Sequence, residues 1–131
     1  MTLINYVTGR QFFDAFLRYA GVVLERPGDE DHPLIQWWLE LCNLGREMPD
    51  ETPWCSAAIN GVAWQLRLPR SKSAAARSWL EVGRAIEPAD ARVGDVMVFS
   101  RGNSSWQGHV GLNAGPGHLL GGNQGNAISV M

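Results

Sequence analysis

The hydrophobic period changes about two thirds of the way along this chain, and this change constrains the fold most. Up to about residue 83, apolar side chains recur every three or four positions, which is typical of amphipathic helices. From about residue 93, short β-prone runs, "GDVMVF", "HVGLNA", "HLLGG" and "NAISVM", alternate with glycine-rich turns. Helices followed by strands predict an α+β fold, with N-terminal helices (about 8–83) packed on a C-terminal antiparallel β-sheet (about 93–131).

The helical part predicts four segments. Thr8 and Gln11 have capping-box spacing at the start of the first segment. Glycines follow the first, second and fourth apolar stripes and are expected to end them. The four predicted helices are a segment that ends at Gly21, one from Pro33 to Gly45, one from Cys55 to about Leu66, and one from Ser73 to Gly83.

Size and charge exclude several classes of protein. With 131 residues and 45% apolar content, the chain suits one domain, 1–131. A net charge of -2 and scattered basic residues give no footprint for nucleic acid. No stretch reaches the roughly 20 apolar residues of a membrane span, and "MTLINYVTGRQ" does not resemble a secretion leader. We therefore expect a monomer that is made in the cytoplasm.

Cysteine and histidine numbers favour free thiols over metal binding. Cys42 lies on an apolar helix stripe and is interpreted as a small buried hydrophobe. Without an export signal, a disulfide between Cys42 and Cys55 is the less favoured alternative. The three histidines have no familiar metal-ligand spacing, so we expect no metal and no cofactor.

The stretch "TPWCSAAIN" places Cys55 at the start of the third predicted helix. A helix N-terminus favours an anion, so we expect this position to lower the pKa of the thiol and make it nucleophilic. The same backbone N–H groups could stabilise an oxyanion. Trp54 offers a flat wall beside the sulfur.

A nucleophilic thiol needs a base, and His109 is the best candidate. His109 opens the strand "HVGLNA", from which it could face the helix of Cys55. His118 follows a turn and His32 precedes a helix, so exposed or capping roles suit them better. A third polar group should orient the imidazole.

The segment "GGNQGN" supplies that third group. Asn123 is the first choice, and Gln124 and Asn113 remain open as alternatives. Each of these residues alone is more often structural than catalytic. Their order and placement together favour a catalytic site.

Several motifs make a family resemblance visible. "DETPWCSAAIN", "SAAARSWLEVG", "RVGDVMVFSRG", "GHVGL" and "LLGGNQGN", in this order between about residues 21 and 127, resemble phage and bacterial cell-wall hydrolases of the NlpC and CHAP superfamily. The resemblance implies a papain-like fold and the cleavage of an amide bond in peptidoglycan. It also implies that Cys55 attacks the carbonyl, His109 transfers the proton, and Asn123 orients His109.

The rim of the expected cleft supplies candidate substrate contacts. A wall peptide has amine and carboxylate groups that charged rim residues could meet. Solvated charges and ordinary packing are equally good interpretations of these positions. The predicted substrate-binding residues are Glu51, Trp54, Arg101, Trp106 and Gln124.

The leading functional hypothesis is therefore a cysteine peptidase or amidase of the phage endolysin type. Such an enzyme would reach the wall after a membrane pore opens. One alternative is a secreted antibacterial amidase toxin, for which an immunity protein would be the partner. Another is a catalytically silent wall-binding or structural phage protein, in which Cys55 is merely packed. The motifs do not distinguish an endopeptidase from an N-acetylmuramoyl-L-alanine amidase.

Overall fold

Helices lie against an antiparallel sheet in the computed structural model, which describes residues 2–5, 9–25, 32–43, 53–103 and 107–131. The fold is α+β, as the change of period predicts. Two short 3₁₀ helices, Ala76–Glu81 and Pro88–Asp90, accompany the regular elements. The helices and strands are β1 (Thr2–Asn5), α1 (Gly9–Leu17), α2 (Pro33–Leu41), α3 (Cys55–Gln65), β2 (Arg84–Ile86), β3 (Val96–Ser100), β4 (Gly108–Asn113), β5 (Leu119–Gln124) and β6 (Ala127–Val130).

The sheet has six strands in the order β2-β1-β3-β4-β5-β6, and all neighbours are antiparallel. Strands β3 to β6 correspond to the four predicted runs. The sheet is nevertheless not purely C-terminal, because β1 precedes the helices and lies between β2 and β3. Runs of four and three residues are too short to show a period of two, so the pattern did not predict β1 or β2.

Helix α3 is the central helix and is buried on nearly every side. It packs against β4 and β5 as well as α1 and α2. Its position is set by close approaches at glycine: a Cβ at Gly122 of β5 would lie 2.7 Å from Trp54 Cζ3 and 3.0 Å from Ala58 Cβ. The helix begins and ends within one residue of the predicted bounds. The start of α3 is thus pressed against the sheet.

The fourth predicted helix is a 3₁₀ helix instead, Ala76–Glu81. Its expected cap, Ser73, does accept a hydrogen bond from Ala75 N, but the carbonyl of Ser73 is used elsewhere. Ser56 Oγ donates to that carbonyl at 2.6 Å and Asn60 Nδ2 at 3.2 Å. Because α3 holds this carbonyl, a regular helix cannot start at Ser73.

The other helix ends differ from the prediction by a few residues. Helix α1 ends at Leu17, and the chain then turns before Gly21, which has a φ of 74°. Thr8 of the predicted capping box and the predicted stop Gly45 lie outside the described residues. Within the described part of the chain, no helix combines the length and the apolar character that crossing a membrane requires.

Candidate active site

Cys55 is the first residue of α3, as predicted, and its side chain is 7% exposed. Trp54 is the N-cap residue and gives no side-chain hydrogen bond to the helix. The first N–H groups of α3 are therefore not used by a capping side chain. Those of Cys55 and Ser56 face the sulfur and stabilise its anionic form.

A third backbone N–H, that of Val110 on β4, also faces the sulfur. Asn113 N donates to Asp95 O beside β3, and N–H groups alternate between the two edges of a strand. Val110 N–H therefore points toward β5. The paired residues of β4 and β5 begin only at Leu112 and Leu120, so the sulfur lies where the two strands separate.

His109 precedes Val110, and its ring is held by Gln124. His109 Nε2 lies 2.8 Å from Gln124 Oε1. The orientation of the Gln124 amide is fixed, because its Nε2 donates to the carbonyls of Leu119 at 3.2 Å and Ser129 at 2.8 Å. Gln124 Oε1 can only accept, so Nε2 of His109 is the protonated nitrogen. In the neutral ring, Nδ1 is then the basic nitrogen.

The residue on the imidazole is therefore Gln124 rather than the first choice, Asn123. The register between β5 and β6 shifts between Gly121 and Gln124, and Asn123 has a φ of 58°. This irregularity brings the Gln124 side chain back over Gly121. A Cβ at Gly121 would lie 2.6 Å from Gln124 Oε1 and 3.5 Å from His109 Nε2. The glycine thus leaves the space in which the two side chains meet.

Asn113, the other open alternative, has a structural role. Its Nδ2 donates to Arg92 O, and its Oδ1 accepts from Gly115 N. The first bond links the end of β4 to the residues before β3, the second closes the turn after β4, and both lie at the end of β4 that is remote from His109. Asn113 therefore does not orient the imidazole.

The expectation of a lowered thiol pKa is wrong for Cys55. Burial is the largest influence and raises the pKa of Cys55 above its ordinary value. The N–H of Val110, that of Ser56, the charge of Arg101 and the N–H of Cys55 lower it, but less than burial raises it. The position at a helix N-terminus predicted a lowered pKa because that argument leaves out the desolvation of the thiolate, which raises the pKa.

Burial also lowers the pKa of His109, and the charge of Arg101 lowers it further, whereas the hydrogen bond to Gln124 raises it. A neutral imidazole and a neutral thiol are thus the favoured resting forms of the two groups. The imidazole leaves β4 on the opposite side from Val110, since successive side chains alternate. The Cys55 sulfur lies at the N–H of Val110, which points along the plane of the sheet. Because His109 directly precedes Val110, the sulfur and the imidazole are at the same end of β4.

The predicted substrate-binding residues have different positions. Arg101 is exposed, and its charge acts on both Cys55 and His109. Trp54 is fully buried against Gly122, and Gln124 is buried on His109, so neither offers a surface to a substrate. The remaining two, Glu51 and Trp106, lie outside the described residues.

The other two histidines have the local roles that the sequence suggested. His32 is the N-cap of α2, where its Nδ1 accepts from Leu34 N at 3.2 Å. His118 is exposed, and its Nδ1 lies 2.9 Å from Pro116 O in the turn between β4 and β5. His109 is therefore the histidine at the cysteine site.

Sequence reasoning missed two features that complete the site. The Val110 N–H and the empty space at Gly121 have no signature of their own in the chain. "GGNQGN" did indicate an amide near the histidine, but the irregular register decided which one. A strict alternation of side chains along β5 could not have shown this.

In the described ranges, no group of three or more His, Cys, Asp or Glu side chains could hold a metal ion. Cys42 and Cys55 are both free thiols. Comparison of the chain with models of protein families, with curated proteins and with solved structures finds no significant match.

Proposed function

We propose that the chain is a cysteine hydrolase that cleaves an amide bond, with Cys55 as nucleophile, His109 as base and Gln124 as the residue that orients His109. The main support is the hydrogen bond between His109 Nε2 and Gln124 Oε1, which leaves Nδ1 as the basic nitrogen. Cys55 at the start of α3 supplies a thiol beside backbone N–H groups. A nucleophile, an oriented base and oxyanion donors are the parts that acyl transfer needs.

The reaction begins from neutral groups. His109 Nδ1 accepts the thiol proton as the sulfur attacks the carbonyl carbon. This proton transfer requires Cys55 Sγ and His109 Nδ1 to come within hydrogen-bond reach. Backbone N–H groups at the start of α3 stabilise the oxyanion of the tetrahedral intermediate. The C–N bond breaks, and the imidazolium gives its proton to the leaving amine. Water then attacks the thioester while His109 takes one of its protons. The C–S bond breaks, and the imidazolium returns that proton to the sulfur, which releases a carboxylic acid and the free thiol.

We infer bacterial peptidoglycan as the substrate from the order of the motifs. They resemble those of NlpC and CHAP hydrolases, and the helix-borne cysteine, the strand-borne histidine and the amide on the next strand suit the papain-like arrangement of that superfamily. In this setting the protein acts as a phage endolysin, which is made in the host cytoplasm and reaches the wall after membrane opening. A delivered amidase toxin would use the same chemistry.

One observation favours a second candidate, a silent wall-binding or structural protein. Burial leaves Cys55 7% exposed and raises its pKa, as in a thiol that is only packed. Cys42 is such a thiol: burial raises its pKa to about 11. The two functions make opposite predictions for removal of the Cys55 thiol.

The test is a comparison of Cys55→Ala with Cys42→Ala on purified sacculi. Both changes remove one buried thiol, but only the Cys55 sulfur lies at the N–H of Val110, the residue that follows His109. The proposal expects wild type and Cys42→Ala to release soluble fragments and Cys55→Ala to release none, with all three proteins folded by thermal melting. Mass spectrometry of the new amine ends identifies the cleaved bond. Equal release with and without the Cys55 thiol would refute the hydrolase.

A further inference from the structure

Arg101 lies at the end of β4 that holds His109 and is not part of α3, which begins at Cys55. It directly follows β3, and its N–H donates at 3.3 Å to the carbonyl of Gln107, which immediately precedes β4. Phe99, two residues earlier, pairs with His109. The side chain is exposed, and its positive charge acts on Cys55 as well as on His109.

The guanidinium of Arg101 is available to a ligand. The side chain of Arg101 has no hydrogen bond or ion pair with another described residue. An exposed guanidinium without an internal partner keeps its donors for a ligand. Those donors form a planar fork that matches a carboxylate.

A second arginine makes this end of β4 more cationic. Arg77 Nε donates to Gln107 O at 2.9 Å, and its Cγ would lie 3.4 Å from a Cβ at Gly108. Two guanidinium side chains thus border the residues that precede His109, in a chain whose net charge is -2. Positive charge on these two side chains favours anionic over cationic ligand groups.

We propose that Arg101 binds a substrate carboxylate close to the scissile amide, so that the enzyme selects acidic peptides over their amidated or cationic counterparts. This inference rests on the proposed hydrolase and names its substrate class. No atom of Arg101 takes part in the bond changes. Arg101 is a specificity residue.

Binding of a carboxylate would also change the base. While Arg101 is unpaired, its charge lowers the pKa of His109 and disfavours the imidazolium that forms on attack. A bound carboxylate cancels that charge, so the imidazole becomes a stronger base when an acidic substrate is in place. The preference should therefore affect kcat as well as KM.

Two peptides that differ at one group test the proposal. One has a free carboxylate next to the scissile amide, and the other has the carboxamide at the same place. We expect wild type to show a kcat/KM about 10- to 100-fold higher for the carboxylate, the range of a hydrogen bond to a charged group. Arg101→Gln should abolish this ratio mainly through the acidic peptide, and Arg101→Lys should restore part of it.

Arg84→Gln is the matched control. Arg84 is also exposed, but it lies on the edge strand β2, three strands away from β4. The Arg84→Gln variant should keep the wild-type ratio of kcat/KM for the carboxylate peptide to kcat/KM for the carboxamide peptide. High salt should reduce the ratio in wild type and leave it unchanged in Arg101→Gln.

A binding measurement separates this inference from the proposed function. Both peptides are titrated calorimetrically into Cys55→Ala, with and without Arg101→Gln. Tighter binding of the carboxylate peptide that disappears with Arg101→Gln supports the subsite, even if wild type hydrolyses neither peptide. Equal binding of both peptides to Cys55→Ala overturns the subsite, even if wild type hydrolyses both.

Discussion

Gln124 accepts a 2.8 Å hydrogen bond from Nε2 of His109, and its own amide is held by two backbone carbonyls. The acceptor therefore cannot exchange places with the donor, and the proton on His109 is fixed on Nε2. A base whose tautomer is fixed needs no rearrangement before it takes a proton on Nδ1. This relation is the basis of the first two predictions.

Removal of the Gln124 side chain should impair the base and leave the fold intact. In Gln124→Ala the imidazole loses its orienting acceptor, so Nδ1 is basic and correctly aimed for only part of the time. We expect kcat to fall by about 10- to 100-fold, less than the roughly 10²- to 10⁴-fold that a general base contributes in full. The measurement is amide hydrolysis, together with ¹⁵N NMR of the His109 tautomer.

Asn123→Gly is the control for that variant. It removes the neighbouring side chain and suits the positive φ of Asn123. It should keep both the tautomer and kcat. A larger loss in Asn123→Gly than in Gln124→Ala would return the orienting role to Asn123.

Gly121→Ala should disturb the same contact from the backbone side. The new Cβ would lie 2.6 Å from Gln124 Oε1, so Gln124 must move away from His109. We expect a loss of about 1–3 kcal/mol in the free energy of unfolding, as for other overpacked sites, and a fall in kcat. Denaturant unfolding and amide hydrolysis measure the two effects.

A double variant separates the clash from the lost glycine. In Gly121→Ala with Gln124→Ala, the Cβ has space, so stability should recover relative to the sum of the single changes by about 0.5 kcal/mol or more. Activity should stay low because His109 still lacks its acceptor. Strictly additive stabilities would show that Gly121 and Gln124 do not interact.

The pH dependence follows from the directions of the two pKa shifts. Below its pKa His109 is protonated and cannot act as base. Because that pKa is lowered, the acid limb of kcat/KM should lie below the ordinary imidazole value of about 6.5. The pKa of Cys55 is raised, so its alkylation by iodoacetamide should be slow at pH 7 and accelerate only above the ordinary thiol value of about 8.5.

Arg101→Gln provides a check on the cause of these shifts. The charge of Arg101 lowers both pKa values, so its removal should move the acid limb and the alkylation profile to higher pH. Arg84→Gln should move neither. Rapid alkylation of Cys55 at neutral pH would mean that the helix N-terminus outweighs burial after all.

The sequence predicted the parts of the fold whose signals are local. The apolar stripe from Cys55 to Leu66 is long enough to show a helical period, and α3 matches it. The 3₁₀ helix at Ala76–Glu81 was predicted as an α-helix because its start is decided by Ser56 and Asn60, which are distant in sequence. Strand β1 likewise depends on its partners β2 and β3 and not on its own four residues.

The site shows the same division. The places of Cys55 at a helix start and of His109 near a strand start follow from the sequence, since both are local features, whereas their catalytic roles stay predictions. The choice between Asn123 and Gln124 depends on an irregular register, and the sign of the Cys55 pKa shift depends on how much protein surrounds the sulfur. Both are properties of packing that one sequence does not display.

A matched pair of tryptophans gives the last prediction. Trp54 and Trp79 are both fully buried, yet Trp79 Nε1 donates to Ser56 Oγ at 2.9 Å, whereas Trp54 Nε1 has no hydrogen-bond partner among the described residues. Phe at position 79 loses a hydrogen bond, whereas Phe at position 54 removes an unpaired donor. With similar losses of ring volume, Trp79→Phe should lower the free energy of unfolding by about 1–3 kcal/mol more than Trp54→Phe. Urea denaturation of the two variants measures the difference, and equal losses would mean that the indole N–H of Trp54 is satisfied in solution.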